Sequence, residues 1–204
     1  MDTKRTIVFD LGGVLIDWNE RYLFEKIFVN DAPAMEHFLA NICTRDWNAQ
    51  QDAGRSFEDG IRELVAQHPQ HEPNIRAYFE RWEEMIKGDI TATVQILVAL
   101  KRAGYPLFAL SNWSAETFPA MRKRFEFLQL FETIVLSGEV GTAKPGAEIY
   151  EIFLKTVNRD ATDCLFIDDM KDNINTAKEK GFQTIHFESP EQLRDELKRM
   201  GISL

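Results

Sequence analysis

The sequence predicts an α/β protein, a Rossmann-type parallel sheet core with an inserted α-helical domain. Three observations carry that expectation. Five short apolar runs are bounded by glycine or polar residues, amphipathic patterns separate them, and one long early stretch shows helical periodicity alone. Apolar runs between turn residues read as strands buried on both faces. Strands alternating with helices read as right-handed βαβ units.

In chain order, the first run is Thr6-Ile7-Val8-Phe9-Asp10, followed by Leu11-Gly12-Gly13. Over residues 18–89 the alternation stops and no strand is expected. Met35, Phe38, Leu39 and Ile42 keep helical spacing there, as do Phe57, Ile61, Leu64 and Val65. Ile75, Tyr78, Phe79, Trp82 and Ile86 make a third such face. Turn formers at Asp31-Ala32-Pro33, Asp52-Ala53-Gly54 and His68-Pro69-Gln70 divide them. The stretch reads as a helical bundle inserted after the first strand, with Lys87-Gly88-Asp89 as the hinge back. This reading gives a discontinuous core of residues 1–17 and 90–204 and a helical cap of residues 18–89.

Further strands are expected at residues 106–110, 133–136, 164–167 and 183–187. Between them Val94, Leu97 and Val98 share one helical face, as do Ile149, Ile152, Phe153 and Val157. The last helix has Ser189 as N-cap, Pro190 at its first position and Gln192 closing a capping box. Its apolar stripe is Leu193, Leu197 and Met200.

Composition sets outer limits. The 204 residues are 44% hydrophobic, enough for a real core, which excludes wholesale disorder. Lys plus Arg number 24 against 33 Asp plus Glu, a net charge of -9, which argues against a nucleic-acid binder. A small anionic substrate remains compatible, because a local site can oppose the global sign. Cys43 and Cys164 form no CxxC pair, so neither a disulfide framework nor a thiolate metal site is expected. The start, Met1 to Arg5, leads into a strand instead of a signal-peptide core, and no apolar run approaches the ~20 residues of a membrane span. A cytoplasmic protein without membrane partners, monomeric or homodimeric, is expected.

In an open parallel sheet, ligands bind beyond the carboxyl ends of the strands. That rule gathers Asp10, Ser111, Asn112, Asp168 and Asp169 at one crevice, and Lys144, just before a helix, can reach its rim. A lone aspartate after a strand is ordinarily a cap or turn residue. Suitable groups at several strand ends together are a different matter. Three carboxylates in one crevice raise each other's pKa unless a cation sits among them. An all-oxygen set without His or Cys suits Mg²⁺. Lys144 supplies a positive point charge, and Ser111 and Asn112 supply donors for transferring oxygens. A carboxylate so placed can attack phosphorus in line and form an aspartyl phosphate that water hydrolyses.

These residues resemble the haloacid dehalogenase (HAD) superfamily, which is mostly phosphatases. Phe9-Asp10-Leu11-Gly12-Gly13-Val14-Leu15 is similar to its first motif, Leu110-Ser111-Asn112 to the second and Lys144-Pro145 to the third. Phe166-Ile167-Asp168-Asp169, with Asn173 beyond, is similar to the fourth. The resemblance spans the chain and implies a HAD-like fold with a helical cap of the C1 type. It is nearest to the sugar-phosphate phosphatase branch. It implies Asp10 as nucleophile and metal ligand, the Gly12 carbonyl as a second ligand, and Asp169 binding Mg²⁺ directly. Asp168 would assist through water or hold Lys144, Ser111 and Asn112 would cradle the phosphoryl group, and Asn173 would orient the acidic loop.

One departure stands out. Phosphatases of this superfamily usually carry an aspartate two residues after the nucleophile, and here that position is Gly12. A bound water, a carboxylate from the cap, or Asp17 are the candidate replacements. Trp113 is placed to contact a leaving group. Trp47, Asn48, Gln51 and Asp52 form a polar-aromatic cluster that fits either the crevice or a solvated helix face. His68 and His71 lie in a Pro-flanked turn and read as surface residues.

The function expected is a Mg²⁺-dependent phosphatase of a small phosphorylated metabolite, a sugar phosphate first. The alternatives are a metal-independent 2-haloacid dehalogenase with the same nucleophile, and a non-catalytic phospho-acceptor.

Overall fold

In the computed structural model, which describes residues 4–204, Thr6–Phe9 forms strand β1 and is buried along its whole length. Residues 1–3 of the expected core lie outside the described residues. After a turn, β2 (Ile16–Trp18) pairs antiparallel with β3 (Ile86–Asp89). This two-stranded flap corrects two expectations. Residues 18–89 do contain a strand, and the presumed hinge Lys87-Gly88-Asp89 is part of it. The apolar spacing that linked Trp82 and Ile86 to the helix before them crosses three elements, because the helix ends at Glu80 and a short 3-10 turn intervenes.

Between the arms of the flap lie α1 (Arg21–Ile27), α2 (Ala32–Asn41), α3 (Arg45–Asp52), α4 (Phe57–Gln67) and α5 (Glu72–Glu80). Side-chain caps fix three of their starts. Asp31 accepts from Ala34 N–H, Thr44 from Trp47 N–H and Ser56 from Asp59 N–H.

The remaining chain alternates helix and strand as expected. It runs α6 (Thr91–Arg102), β4 (Leu107–Ser111), α7 (Phe118–Arg124), β5 (Thr133–Leu136), α8 (Ser137–Val140), α9 (Ala147–Val157), β6 (Cys164–Asp168), α10 (Lys171–Glu179), β7 (Gln183–His186) and α11 (Pro190–Arg199). In α11 Ser189 caps as predicted, but the Gln192 side chain reaches the N–H of Glu188 instead of closing a box on Ser189.

The five long-sheet strands are all parallel in the order β5-β4-β1-β6-β7. The chain builds outward from β1 to β4 and β5, then returns to the other side of β1 for β6 and β7. That reversal beside β1 makes the topological switch point, where such folds open a crevice. Strand alternation sends Ile7 and Phe9 to one face and Val8 to the other. The first face joins one continuous apolar cluster running through Phe24, Phe38, Phe57 and Tyr78 of the inserted helices. The second packs Val8, Phe108 and Phe166 against Ile149 and Phe153 of α9. Cys43 and Cys164 are free and buried. Among the described residues no helix is long and apolar enough to cross a membrane.

Candidate active site

The central strands end in a polar row. Asp10 follows β1, Ser111 closes β4 and Asp168 closes β6, and these three strands are adjacent in the sheet. All three side chains are buried. Parallel pairing therefore brings together residues more than a hundred positions apart, as the sequence predicted.

Asp10 has two differently treated oxygens. Its Oδ1 accepts from Leu11 N–H at 2.7 Å, from Ser111 Oγ at 2.7 Å and from Lys144 Nζ at 3.1 Å. No hydrogen bond among the described residues uses Oδ2. Burial pushes the Asp10 carboxyl up to about 7, with Lys144 pulling the other way and Asp168 adding to the rise. Asp169 is also raised, by burial and then by Asp168.

Lys144 is held from three sides. Its Nζ donates to Leu110 O at 2.8 Å and Asp168 Oδ2 at 2.7 Å, besides Asp10. Burial works against its charge, but the two carboxylates outweigh that and keep the ammonium above the ordinary lysine value. Asp168 is fully occupied. Oδ1 accepts from Met170 N–H and Asn173 Nδ2, and Oδ2 from Lys144 and Asn173. Of the two expected roles for Asp168, the geometry is that of holding Lys144.

Asn112 and Trp113, the expected phosphate and leaving-group contacts, both make bonds within the protein. The Asn112 amide clamps the Lys144 main chain, Nδ2 to Lys144 O at 2.8 Å and Lys144 N–H to Oδ1 at 2.9 Å. Its side chain therefore positions Lys144 and keeps one amide N–H that these two bonds do not use. Trp113 is 4% exposed, packs edge-on against Trp82, and gives its ring N–H to Thr117 and its main-chain N–H to Ser137. Asp17, a candidate acid, accepts from the Tyr22 hydroxyl on the flap at 2.9 Å. His71 packs against Phe38, and His68 ends α4.

The polar-aromatic cluster of α3 is split. Trp47 and Gln51 are buried within the helical insertion, Trp47 bonding Gly60 O and Gln51 bonding Trp47 O. Asn48 and Asp52 bond one another, and the Asp52 main-chain carbonyl accepts from Ser137 Oγ at 2.5 Å. A second link joins the same two regions, Phe57 N–H to Glu116 Oε1 at 2.8 Å. Burial pushes the Asp52 carboxyl up to about 7, with the Ser114 N–H and Asn48 opposing.

Sequence reasoning missed His186. It closes β7 opposite Asp168, and its Nε2 lies 2.9 Å from the Asp169 carbonyl oxygen. The strand-end rule, applied to the fifth strand as to the others, finds it.

The residues present fit a hard divalent cation. Carboxylate oxygens of Asp10, Asp168 and Asp169 lie within 4.8 Å of one another, those of Asp168 being already engaged by Lys144, Asn173 and the Met170 N–H. Gly13 leaves room for Asp169, since a Cβ there would stand 2.5 Å from its Oδ2. Among the described residues no hydrogen bond uses the Gly12 carbonyl. An all-oxygen set with two raised carboxyl pKa values is what a bound cation would relieve.

Comparison with known proteins agrees with this arrangement. The family model for haloacid dehalogenase-like hydrolases matches residues 7–187. A sesquiterpene phosphatase of Aspergillus oryzae is 26% identical over 90% of this chain and 90% of its own. A D-ribitol-5-phosphate phosphatase of Bacteroides thetaiotaomicron is 25% identical over 95% of this chain and 96% of its own. Among solved structures, a HAD family enzyme from Bacteroides thetaiotaomicron, in complex with magnesium and inorganic phosphate, superposes with a TM-score of 0.68. It is 26% identical, covering 91% of this chain and 95% of that one.

Proposed function

The chain belongs to the haloacid dehalogenase-like hydrolase family, and from that premise we propose that it is a cytoplasmic Mg²⁺-dependent phosphatase. It hydrolyses a small phosphorylated metabolite, with sugar phosphates the first class to test, through an aspartyl phosphate on Asp10. One observation carries the reading. Three donors hold Asp10 Oδ1 while Oδ2 is left without a partner among the described residues. A nucleophile needs that asymmetry, one oxygen fixed for aim and the other free to attack.

The remaining roles follow from the contacts. Asp10, the Gly12 carbonyl and Asp169 are the residues that would hold Mg²⁺. When bound, the ion would offset charge on the transferring phosphoryl group and keep Asp10 ionised. Lys144 neutralises Asp10 and Asp168 together. Asn112 positions the Lys144 main chain, and Asn173 and the Met170 N–H fix Asp168. Ser111 orients the nucleophile. The insertion of residues 18–89 acts as a cap over the core of residues 1–17 and 90–204, excluding water from the crevice.

Phosphatase relatives support the chemistry, and the acidic pair separates it from dehalogenation, which has no use for a cation site. The test is Asp10→Asn assayed for phosphate release from an ester panel with Mg²⁺. Activity should vanish, and unchanged release would sink the assignment.

A further inference from the structure

The polar face of α3 has no part in the chemistry described so far. Asn48 and Asp52 stand one turn apart on it, and Asn48 Nδ2 donates to Asp52 Oδ2 at 2.8 Å. Their other neighbours belong to the core. The Ser114 N–H donates to the Asp52 carboxylate, and the Asp52 main-chain carbonyl accepts from Ser137 Oγ. Ser114 comes three residues after Ser111, which holds the nucleophile, and Ser137 directly follows β5. Trp47 and Gln51 point into the insertion, whereas Asn48 and Asp52 are turned to the carboxyl ends of β4 and β5, the crevice side of the sheet.

At its other end the same face reaches the flap. Arg45, one turn before Asn48, bonds Glu20 Oε1 at 3.2 Å, and Glu20 lies just beyond β2. The face thus bridges two chain segments that lead away from the nucleophile, one from β1 into the flap and one from β4 to Ser114.

This face is rich in acceptors and short of donors. Asn48 and Glu20 are only 9% and 4% exposed, and Asn48 Oδ1 and Glu20 Oε2 are buried with no hydrogen-bond partner among the described residues. An unpaired buried acceptor is costly, and only an N–H or O–H relieves it. Burial, the Ser114 N–H and Asn48 set the Asp52 carboxyl, whereas Asp10 answers to Lys144 and Asp168. The Asn48–Asp52 pair therefore belongs to a part of the crevice away from the reacting oxygens, where the body of a substrate lies.

The geometry points to Asn48 and Asp52 as the residues that select the leaving group, a neutral chain bearing hydroxyls. The inference rests on the phosphatase reading and deepens it. A hydroxyl can give its proton to Asn48 Oδ1 or to the Asp52 carboxylate. A bare alkyl chain leaves those acceptors dry, and a second anionic group meets the Asp52 charge. Both residues sit on the cap, so a substrate that fills the acceptors favours closure, and an empty or apolar crevice opposes it.

The experiment measures kcat and KM for phosphate release by the full chain with Mg²⁺ at pH 8, where most of the Asp52 carboxyl is ionised. The probes share one chain length: a pentitol phosphate, pentyl phosphate and a phosphorylated pentonic acid. For the wild type, kcat/KM on the pentitol should exceed that on each of the others at least ~10-fold, about the worth of one buried hydrogen bond. Asn48→Leu should narrow the pentitol-to-pentyl ratio by about that factor, chiefly by raising KM for the pentitol. Asp52→Asn should narrow the pentitol-to-acid ratio similarly. A merely structural role would slow every ester alike and leave both ratios as they were. A wild type equally fast on pentitol and pentyl phosphates, or faster on the acid, would overturn the inference. So would a folded variant that keeps its wild-type ratio. Should Asn48→Leu not fold, the wild-type ratios and Asp52→Asn still decide. Release without discrimination overturns this inference alone, whereas no release from these esters or from nitrophenyl phosphate overturns the phosphatase reading beneath it.

Discussion

Lys144 Nζ and Asp168 Oδ2 are 2.7 Å apart, and neither side chain is exposed to solvent. The pair joins the end of β6 to the loop after α8, and Asp10 is the ammonium's other carboxylate partner. Removing one partner of a buried pair strands the other charge, which costs about 3–5 kcal/mol. Lys144→Met and Asp168→Asn should each lower stability by about that amount, read as urea midpoints, and each should abolish phosphate release. The double variant should cost less than the sum of the two, because both remove the same interaction. Additive losses would mean the two residues act separately.

Asp10 is expected to be a stability liability that function retains. Its carboxyl sits at about 7 in the fold against an ordinary 3.8. Between those pH values the folded state binds more protons than the unfolded chain, so this group makes stability fall as pH rises through about 7. Full conversion of the shift amounts to about 4 kcal/mol, at about 1.4 kcal/mol per pH unit. Lys144, left with one carboxylate, takes part of that back. Asp10→Asn should therefore be inactive yet more stable than the metal-free wild type at pH 8, with the difference vanishing near pH 4. Adding Mg²⁺ should raise the wild-type midpoint at pH 8 and leave the variant nearly unmoved.

Asp52 predicts a pH dependence at a different place. Its carboxyl, raised to about 7 by burial, faces Asn48 and the Ser114 N–H, with Tyr78 nearby. Ionisation above pH 7 puts a charge into this junction, so stability from Asp52 is present at low pH and lost as pH rises through about 7. Hydrogen exchange at Phe57 and Ser114, on the two sides of the contact, should quicken between the ordinary carboxyl value of 3.8 and about 7, after division by the intrinsic exchange rate at each pH. Asp52→Asn keeps the size and removes the titration, and should flatten that change. Equal acceleration in both proteins would place the titrating group elsewhere.

Periodicity and strand-end chemistry were enough to locate Asp10, Ser111, Asp168 and Asp169, because a parallel sheet converts order along the chain into neighbourhood in space. What stayed hidden was which lone pairs and protons each side chain keeps. Asn112 reads as a phosphate donor, and only the position of residue 144 shows that its oxygen and one N–H also clamp the Lys144 main chain. The surroundings of Trp113 are hidden in the same way, since Trp82 and Ser137 reach it from distant segments. The flap escaped because β2 and β3 are three and four residues long and too short for a strand period to register. α3 has no apolar stripe, and its start follows from the Thr44 cap instead.

Adjacent glycines after the nucleophile should respond oppositely to the same change. Gly13 has φ of 74°, a region where an L side chain is strained, and a Cβ there would press on the Asp169 carboxylate at 2.5 Å. Asp169 has to move for Gly13→Ala to be accommodated, so the carboxylate cluster opens. Gly13→Ala should weaken Mg²⁺ binding by at least ~10-fold, the lower end for disturbing groups that orient metal ligands, and should cost about 1–2 kcal/mol of stability. Gly12→Ala meets no atom within 4 Å and has no positive φ, so its fold and metal affinity should stay near wild type. Calorimetric Mg²⁺ titrations of the two variants make the comparison direct. Equal losses would mean that Asp169 does not depend on the space above Gly13, and that the cation is held by other groups.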